Sequence, residues 1–251
     1  MDWIGRAENV VGIALEVSIL GLMMRRRLVG LFPLFFSYVL YEVLLTIVGS
    51  LTVSLDRVYF YFYWTTAPGE IILTLLAVHE SFRRVFRAFY LLPWFRFLLP
   101  GGIVLALLYS ALSGYLSPPV AANRVGAAII SAMITAQYVI LTISIGFFIL
   151  ARLLRVPWRI HEYRFMLGFG VSALLTALGA SLRSEFGTRH ELLSGTLPAL
   201  ASILALAIWL SAVVHPYPPG LEGTGQPLSP DEVVTQLRRQ FAIIRSLLRR
   251  G

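Results

Sequence analysis

The chain has 251 residues, of which 57% are hydrophobic and only 14% charged. That is too little charge for a water-soluble domain of this length, and the apolar residues come in long runs rather than the short alternating segments of an outer-membrane barrel. With no cysteine and no lysine, the sequence excludes disulfides, thiol catalysis, iron–sulfur and thiolate–zinc centres, and a retinal or pyridoxal Schiff base.

A helical crossing of the hydrocarbon layer needs about 20 mostly apolar residues. Seven segments meet this requirement, near 3–24, 28–54, 61–82, 97–116, 126–151, 165–185 and 193–214. The first starts at Asp2 and is followed by Arg25-Arg26-Arg27. A cleaved signal peptide has the opposite charge order, so this helix is expected to be retained with its start outside. The second carries Tyr38, Tyr41 and Glu42. The third follows the aromatic run Tyr59-Phe60-Tyr61-Phe62-Tyr63-Trp64 and contains Pro68-Gly69 just before Glu70. That pair is expected to weaken or kink the helix and free backbone carbonyls beside a site. His79 and Glu80 end it.

The connection from Arg83 to Arg96 mixes arginine with aromatic residues and is interrupted by Pro93, which reads as a helix end followed by an interfacial segment. Ser117-Pro118-Pro119 breaks the chain after the fourth span. The fifth and sixth carry small residues at every fourth position: Ala128, Ala132 and Ala136 on one, and Gly168, Ser172, Thr176 and Ala180 on the other. Such stripes predict faces where helix backbones pack closely.

Beyond the seventh span, the Pro- and Gly-rich stretch 217–228 reads as a linker between a seven-helix domain, 1–216, and a tail, 229–251. Ser229-Pro230-Asp231-Glu232 has the form of a helix start with a capping box. Val234, Leu237, Phe241, Ile244 and Leu248 then recur at spacings of three and four, with Val233, Ile243 and Leu247 widening the stripe. The tail is either a short coiled coil or a basic amphipathic helix on the inner leaflet, and the second reading is preferred.

Every basic residue other than histidine is arginine, and sixteen of the twenty-one fall on one side of the predicted spans. Because inner loops collect positive charge, the expected fold is an all-α, polytopic, seven-span protein with its N-terminus outside. The C-terminal amphipathic helix is then cytoplasmic, and the expected compartment is a bacterial inner membrane. The net charge of +8 is dispersed over short inner loops, where it meets anionic lipid head groups. It implies membrane lipids rather than nucleic acid as partners. The tail offers a contact for a second copy or another protein. No cofactor is expected.

Glu16, Glu42 and Glu70 fall near mid-membrane on the first three helices. Carboxyls at that depth usually face the bundle interior or a water-filled cavity, and no arginine or histidine lies level with them. They therefore either keep their protons or meet something positive. Tyr38, one turn before Glu42, together with Tyr41, Gln137 and Tyr138, completes the expected ligand- or proton-binding set. The rival reading is three neutral carboxyls packed between helices. A second constellation, His79, His161 and His215 with Glu80 and Glu162, sits at the arginine-rich face, and imidazole with carboxylate is zinc-binding chemistry.

That layout of histidines resembles the seven-helix zinc hydrolases that include the alkaline ceramidases, although this chain lacks their paired histidines on the last helix. Glu70, His79-Glu80 and Phe82-Arg83-Arg84-Val85-Phe86-Arg87 resemble an uncharacterised group of bacterial seven-transmembrane-helix proteins. The layout is also similar to the seven-helix sensor regions fused to bacterial signalling enzymes, here without a kinase, cyclase or receiver domain following. The resemblance implies a non-enzymatic sensor or accessory subunit that binds a small or lipophilic ligand in the bundle and couples to a partner through the tail. A lipid hydrolase at the cytosolic face, or a small-solute or proton carrier, is the alternative.

Overall fold

The computed structural model describes residues 2–52, 55–87, 90, 93–116, 124–153, 160–186, 191–216 and 235. Seven long helices occupy them, with no strand among the described residues: α1 (Asp2–Arg25), α2 (Pro33–Thr52), α3 (Asp56–Val85), α4 (Pro93–Leu116), α5 (Arg124–Leu153), α6 (Ile160–Phe186) and α7 (Glu191–Val214). Five of them contain stretches long and apolar enough to cross a membrane, namely Pro33–Thr52, Leu99–Leu116, Ala128–Arg152, Ile160–Leu182 and Thr196–Val214. The amphipathic tail expected over 229–251 lies outside the described residues, as does the breaker Ser117-Pro118-Pro119.

Helix ends depart from the hydropathy reading where proline or backbone geometry decides them. The second span was expected from residue 28, but Leu28–Gly30 forms a 3-10 turn and α2 begins at Pro33. Proline suits a helix's first turn, where the missing N–H has no partner to lose. The chain reverses at Arg27, whose φ of 56° lies in the left-handed region. Pro93 likewise opens α4 rather than interrupting an interfacial segment. The aromatic run at 59–64 is part of α3, which stays continuous through Pro68.

Six helices close into a ring: α1 packs on α2, α2 on α3, α3 on α5, α5 on α6, α6 on α7 and α7 back on α1, with α3 also touching α6 across the middle. α4 stands outside this ring against α5. A hydroxyl cluster joins them. Ser110 Oγ donates to the Ser131 carbonyl (2.9 Å), Ser131 Oγ to the Ser110 carbonyl (3.0 Å), and Thr135 Oγ1 to Ser110 Oγ (2.6 Å). Leu99, Ile103 and Leu107 of α4 also pack toward the core, while Val104, Leu105, Leu108 and Leu112 are exposed. The seam is thus built by Ser131 and Thr135, while Ala136 of the predicted alanine stripe is buried.

The bundle core is aromatic toward its arginine-rich end. Phe35 stacks on Phe165 at 4.0 Å and meets Trp209 edge-on at 5.4 Å. Phe82, Phe86, Phe147 and Tyr163 form a second group, with Phe86–Phe147 at 5.6 Å and Phe147–Tyr163 at 5.1 Å. Edge-to-face and offset contacts of this kind add specific geometry to the burial. Gly168 has the packing role its stripe predicted: the indole of Trp209 lies directly over it, in the space a side chain would take.

Candidate functional site: a carboxyl-lined cavity within the helix ring

The ring encloses a cavity of about 270 Å³, and every helix except α4 contributes to its wall. α1 supplies Glu16, α2 supplies Tyr38 and Glu42, and α3 supplies Glu70 and Thr74. Both pairs sit four residues apart, the spacing that puts side chains on one helix face. Gln137 comes from α5, Ser172, Thr176 and Phe169 from α6, and Ser202 and Trp209 from α7.

Three of these side chains are carboxyls, and no arginine or histidine lines the space. Tyr38 lies beside Glu42 and Thr74, close enough for its side chain to interact with both. The Thr74 hydroxyl donates to the Glu70 carbonyl one turn back, at 2.8 Å, a usual way for a threonine to satisfy itself inside a helix. Glu16 is 8% exposed, and its buried Oε2 has no hydrogen-bond partner. Buried polar atoms are nearly always partnered, so this oxygen stands ready for a donor that the protein does not supply.

Five of the seven residues singled out from the sequence meet in this cavity: Glu16, Tyr38, Glu42, Glu70 and Gln137. Tyr41 and Tyr138 do not. Tyr41 faces α3, where its hydroxyl donates to the Thr66 carbonyl at 2.9 Å and lies against Gly69. Tyr41 thus engages a carbonyl beside Pro68-Gly69, but the carbonyl that Pro68 leaves without its helical donor is that of Trp64. Tyr138 points outward, is half-exposed, and has its hydroxyl 3.3 Å from Ser181 Oγ. Thr74, Ser172, Thr176, Ser202, Phe169 and Trp209 were missed as lining residues. Ser172 and Thr176 lie on the stripe read as a packing face, but only its Gly168 end closes onto α7; the hydroxyl positions open into the cavity.

A second, more apolar space of about 220 Å³ adjoins it between α3, α5 and α6. Tyr63, Ile130, Ile134, Ala177 and Ala180 line it, and it shares Met133, Gln137 and Thr176 with the carboxyl-lined cavity. Ile130 and Ile134 are exposed on the bundle surface, so this groove opens sideways between helices. Toward the arginine-rich end, the aromatic packing of Phe35, Phe165, Phe169 and Trp209 adjoins the cavity, with Phe169 and Trp209 in its wall.

The histidine constellation has a different use. His161 Nε2 donates to the His215 carbonyl at 3.1 Å, and the Ser211 carbonyl accepts from Arg164 Nη1 (2.6 Å) and His215 Nδ1 (2.7 Å). Ser211 and His215 sit at the C-terminus of α7, where the last carbonyls lack helical partners. The start of α6 therefore caps the end of α7 with imidazole and guanidinium. Glu80 does the converse, its Oε2 accepting the buried Phe35 N–H at the start of α2 at 3.0 Å.

His79 stands apart, edge-on to Tyr90 at 5.8 Å, with its buried Nε2 unpartnered. Burial pushes the Tyr90 hydroxyl up to about 12 against the opposing pull of Arg83, so this phenol is neutral at physiological pH. Among the described residues no three His, Asp or Glu side chains are grouped to hold a metal ion. The weaker zinc alternative on His79, His161 and His215 is thus not assembled, and the three cavity carboxyls are also too dispersed to chelate one.

Comparison of this chain with protein-family models, with curated proteins and with solved structures finds no match.

Proposed function

We propose that this chain is a non-enzymatic, seven-span membrane protein that binds a small ligand in the mid-bundle cavity and reports its occupancy to a partner through the C-terminal helix. The observation that carries this reading is the cavity itself. It gathers three carboxyls, one with an unpartnered oxygen, inside a ring of six helices. Carboxyls kept in a membrane interior are costly, and a purely structural bundle has no need of three that share a void. The bias of arginine toward one side supports an N-terminus outside and a C-terminus in the cytoplasm of a bacterial inner membrane. The hydrolase alternative has less support, because His161 and His215 use ring nitrogens to cap α7.

Native mass spectrometry of the full chain in nanodiscs tests the proposal. The wild type should carry an adduct of small-molecule mass. Glu42→Gln should lose it while keeping its helical circular dichroism. A wild type with no adduct, or an adduct retained by the Glu42→Gln variant, refutes the reading.

A further inference from the structure

The ligand's chemistry is written in what the cavity offers and what it omits. Its polar wall presents acceptors from Glu16, Glu42 and Glu70 with no cationic side chain among them. Glu16, more than nine-tenths buried, lines the space and has an oxygen without a protein partner. An anion would meet carboxyl oxygens with no cation to pair with, whereas an organic cation supplies the positive charge that the wall lacks. A bare metal ion is excluded by spacing, since the three carboxyls are not grouped for coordination, although a cavity of about 270 Å³ has room for a molecule of several heavy atoms.

Part of the wall is aromatic. Tyr38, Phe169 and Trp209 line it, with ring centroids 5.5 Å (Tyr38–Phe169), 5.8 Å (Tyr38–Trp209) and 4.9 Å (Phe169–Trp209) apart. Aromatic faces attract organic ammonium groups, and desolvation strengthens the effect. The apolar groove leading sideways past Met133 and Gln137 gives an apolar body somewhere to lie.

We propose that the cavity binds an amphipathic organic cation, an ammonium group paired with Glu42 in the field of Glu16 and Glu70 and set against the aromatic part of the wall, with its apolar body directed into the groove between α3, α5 and α6. This assignment rests on the ligand-binding reading of the same cavity. It adds the charge and shape of the ligand and a lateral route of entry through the adjoining groove.

Three probes with one aromatic body and three head groups test it: phenethylamine, 2-phenylethanol and phenylacetate, each titrated at pH 7 into the full chain in nanodiscs. Calorimetry reads affinity, and thermal unfolding reads stabilisation by mass action. Phenethylamine should bind at least about tenfold tighter than the alcohol, and phenylacetate should not bind. Removing one charge-assisted contact by Glu42→Gln should weaken phenethylamine by roughly 10- to 100-fold. Glu16→Gln serves as the second variant. Its unpartnered oxygen makes it the substitution least able to disturb folding, and it should also weaken the amine.

Equal binding of amine and alcohol, or tighter binding of phenylacetate, overturns the cation assignment and leaves the ligand-binding reading standing. Equal amine binding by wild type and both variants shows nonspecific partition and overturns it as well. Absence of binding by all three probes, together with a wild type free of any adduct, removes both.

Discussion

Replacing Gly168 by alanine puts a methyl group where Trp209 now lies. The new Cβ would stand 2.7 Å from Trp209 Cδ1 and 2.8 Å from Cε2, and closer still to Nε1. Ordinary carbon contacts lie near 3.5–4.0 Å, so the indole must retreat by roughly 1 Å. It has little room: Trp209 is 4% exposed and wedged between Phe35, Tyr38 and Phe169. Its Nε1 donates to the Phe165 carbonyl at 3.1 Å, and retreat breaks that bond. Overpacking costs about 1–3 kcal/mol and the lost bond about 1 kcal/mol, while alanine's better helix propensity returns up to about 1 kcal/mol. The net destabilisation is about 1–3 kcal/mol, read as a lower midpoint in thermal unfolding. In a Trp209→Leu background the methyl has no ring to displace, so the same substitution should become neutral or stabilising. An unchanged midpoint for Gly168→Ala alone, or an equal loss in both backgrounds, refutes the packing argument.

Glu80→Ala leaves the buried Phe35 N–H uncapped and should cost about 1–2 kcal/mol of stability; Glu80→Gln keeps an acceptor oxygen and should cost less, and equal losses would refute a capping role. Tyr41→Phe removes the bond to the Thr66 carbonyl and should cost about 0.5–1.5 kcal/mol without changing phenethylamine affinity, because the ring faces α3 rather than the cavity; lost affinity would place Tyr41 in the site after all. For topology, a tag after Gly251 should resist protease in intact cells and be cleaved in inverted vesicles, and the reverse result would refute the charge-bias orientation.

Helix number and placement were legible because long apolar runs and arginine clusters are properties of the chain alone. Position along each helix was legible too, and Glu16, Glu42 and Glu70 do meet at one cavity. Rotation about each helix axis was not. Tyr38 and Tyr41 are three residues apart on α2, yet the first lines the cavity and the second bonds α3. Which of two adjoining faces turns inward depends on the neighbouring helices, and a single sequence does not show which helices are neighbours. Phe169 and Trp209 were hidden for the same reason, since in an apolar segment an aromatic ring at a cavity wall looks like one in the core. The histidines were ambiguous in the sequence because capping and metal binding use the same donor atoms. Only the carbonyls of Ser211 and His215 at the end of α7 distinguish the two.

The arrangement also bears on how occupancy could reach the tail. Trp209 lines the cavity, lies on Gly168 and bonds the Phe165 carbonyl. One turn earlier on α6, His161 and Arg164 hold the final carbonyls of α7, immediately before the chain runs on into the linker. Under the proposed reading, a ligand against the indole would bear on the α6–α7 pair close to the C-terminal end of α7. Packed interfaces shift between discrete arrangements rather than deforming smoothly, and rotation of Trp209 would exchange the Phe165 bond and the Gly168 contact together. α4, outside the ring and packed on α5 with the Ser110–Ser131–Thr135 seam between them, contributes no cavity side chain.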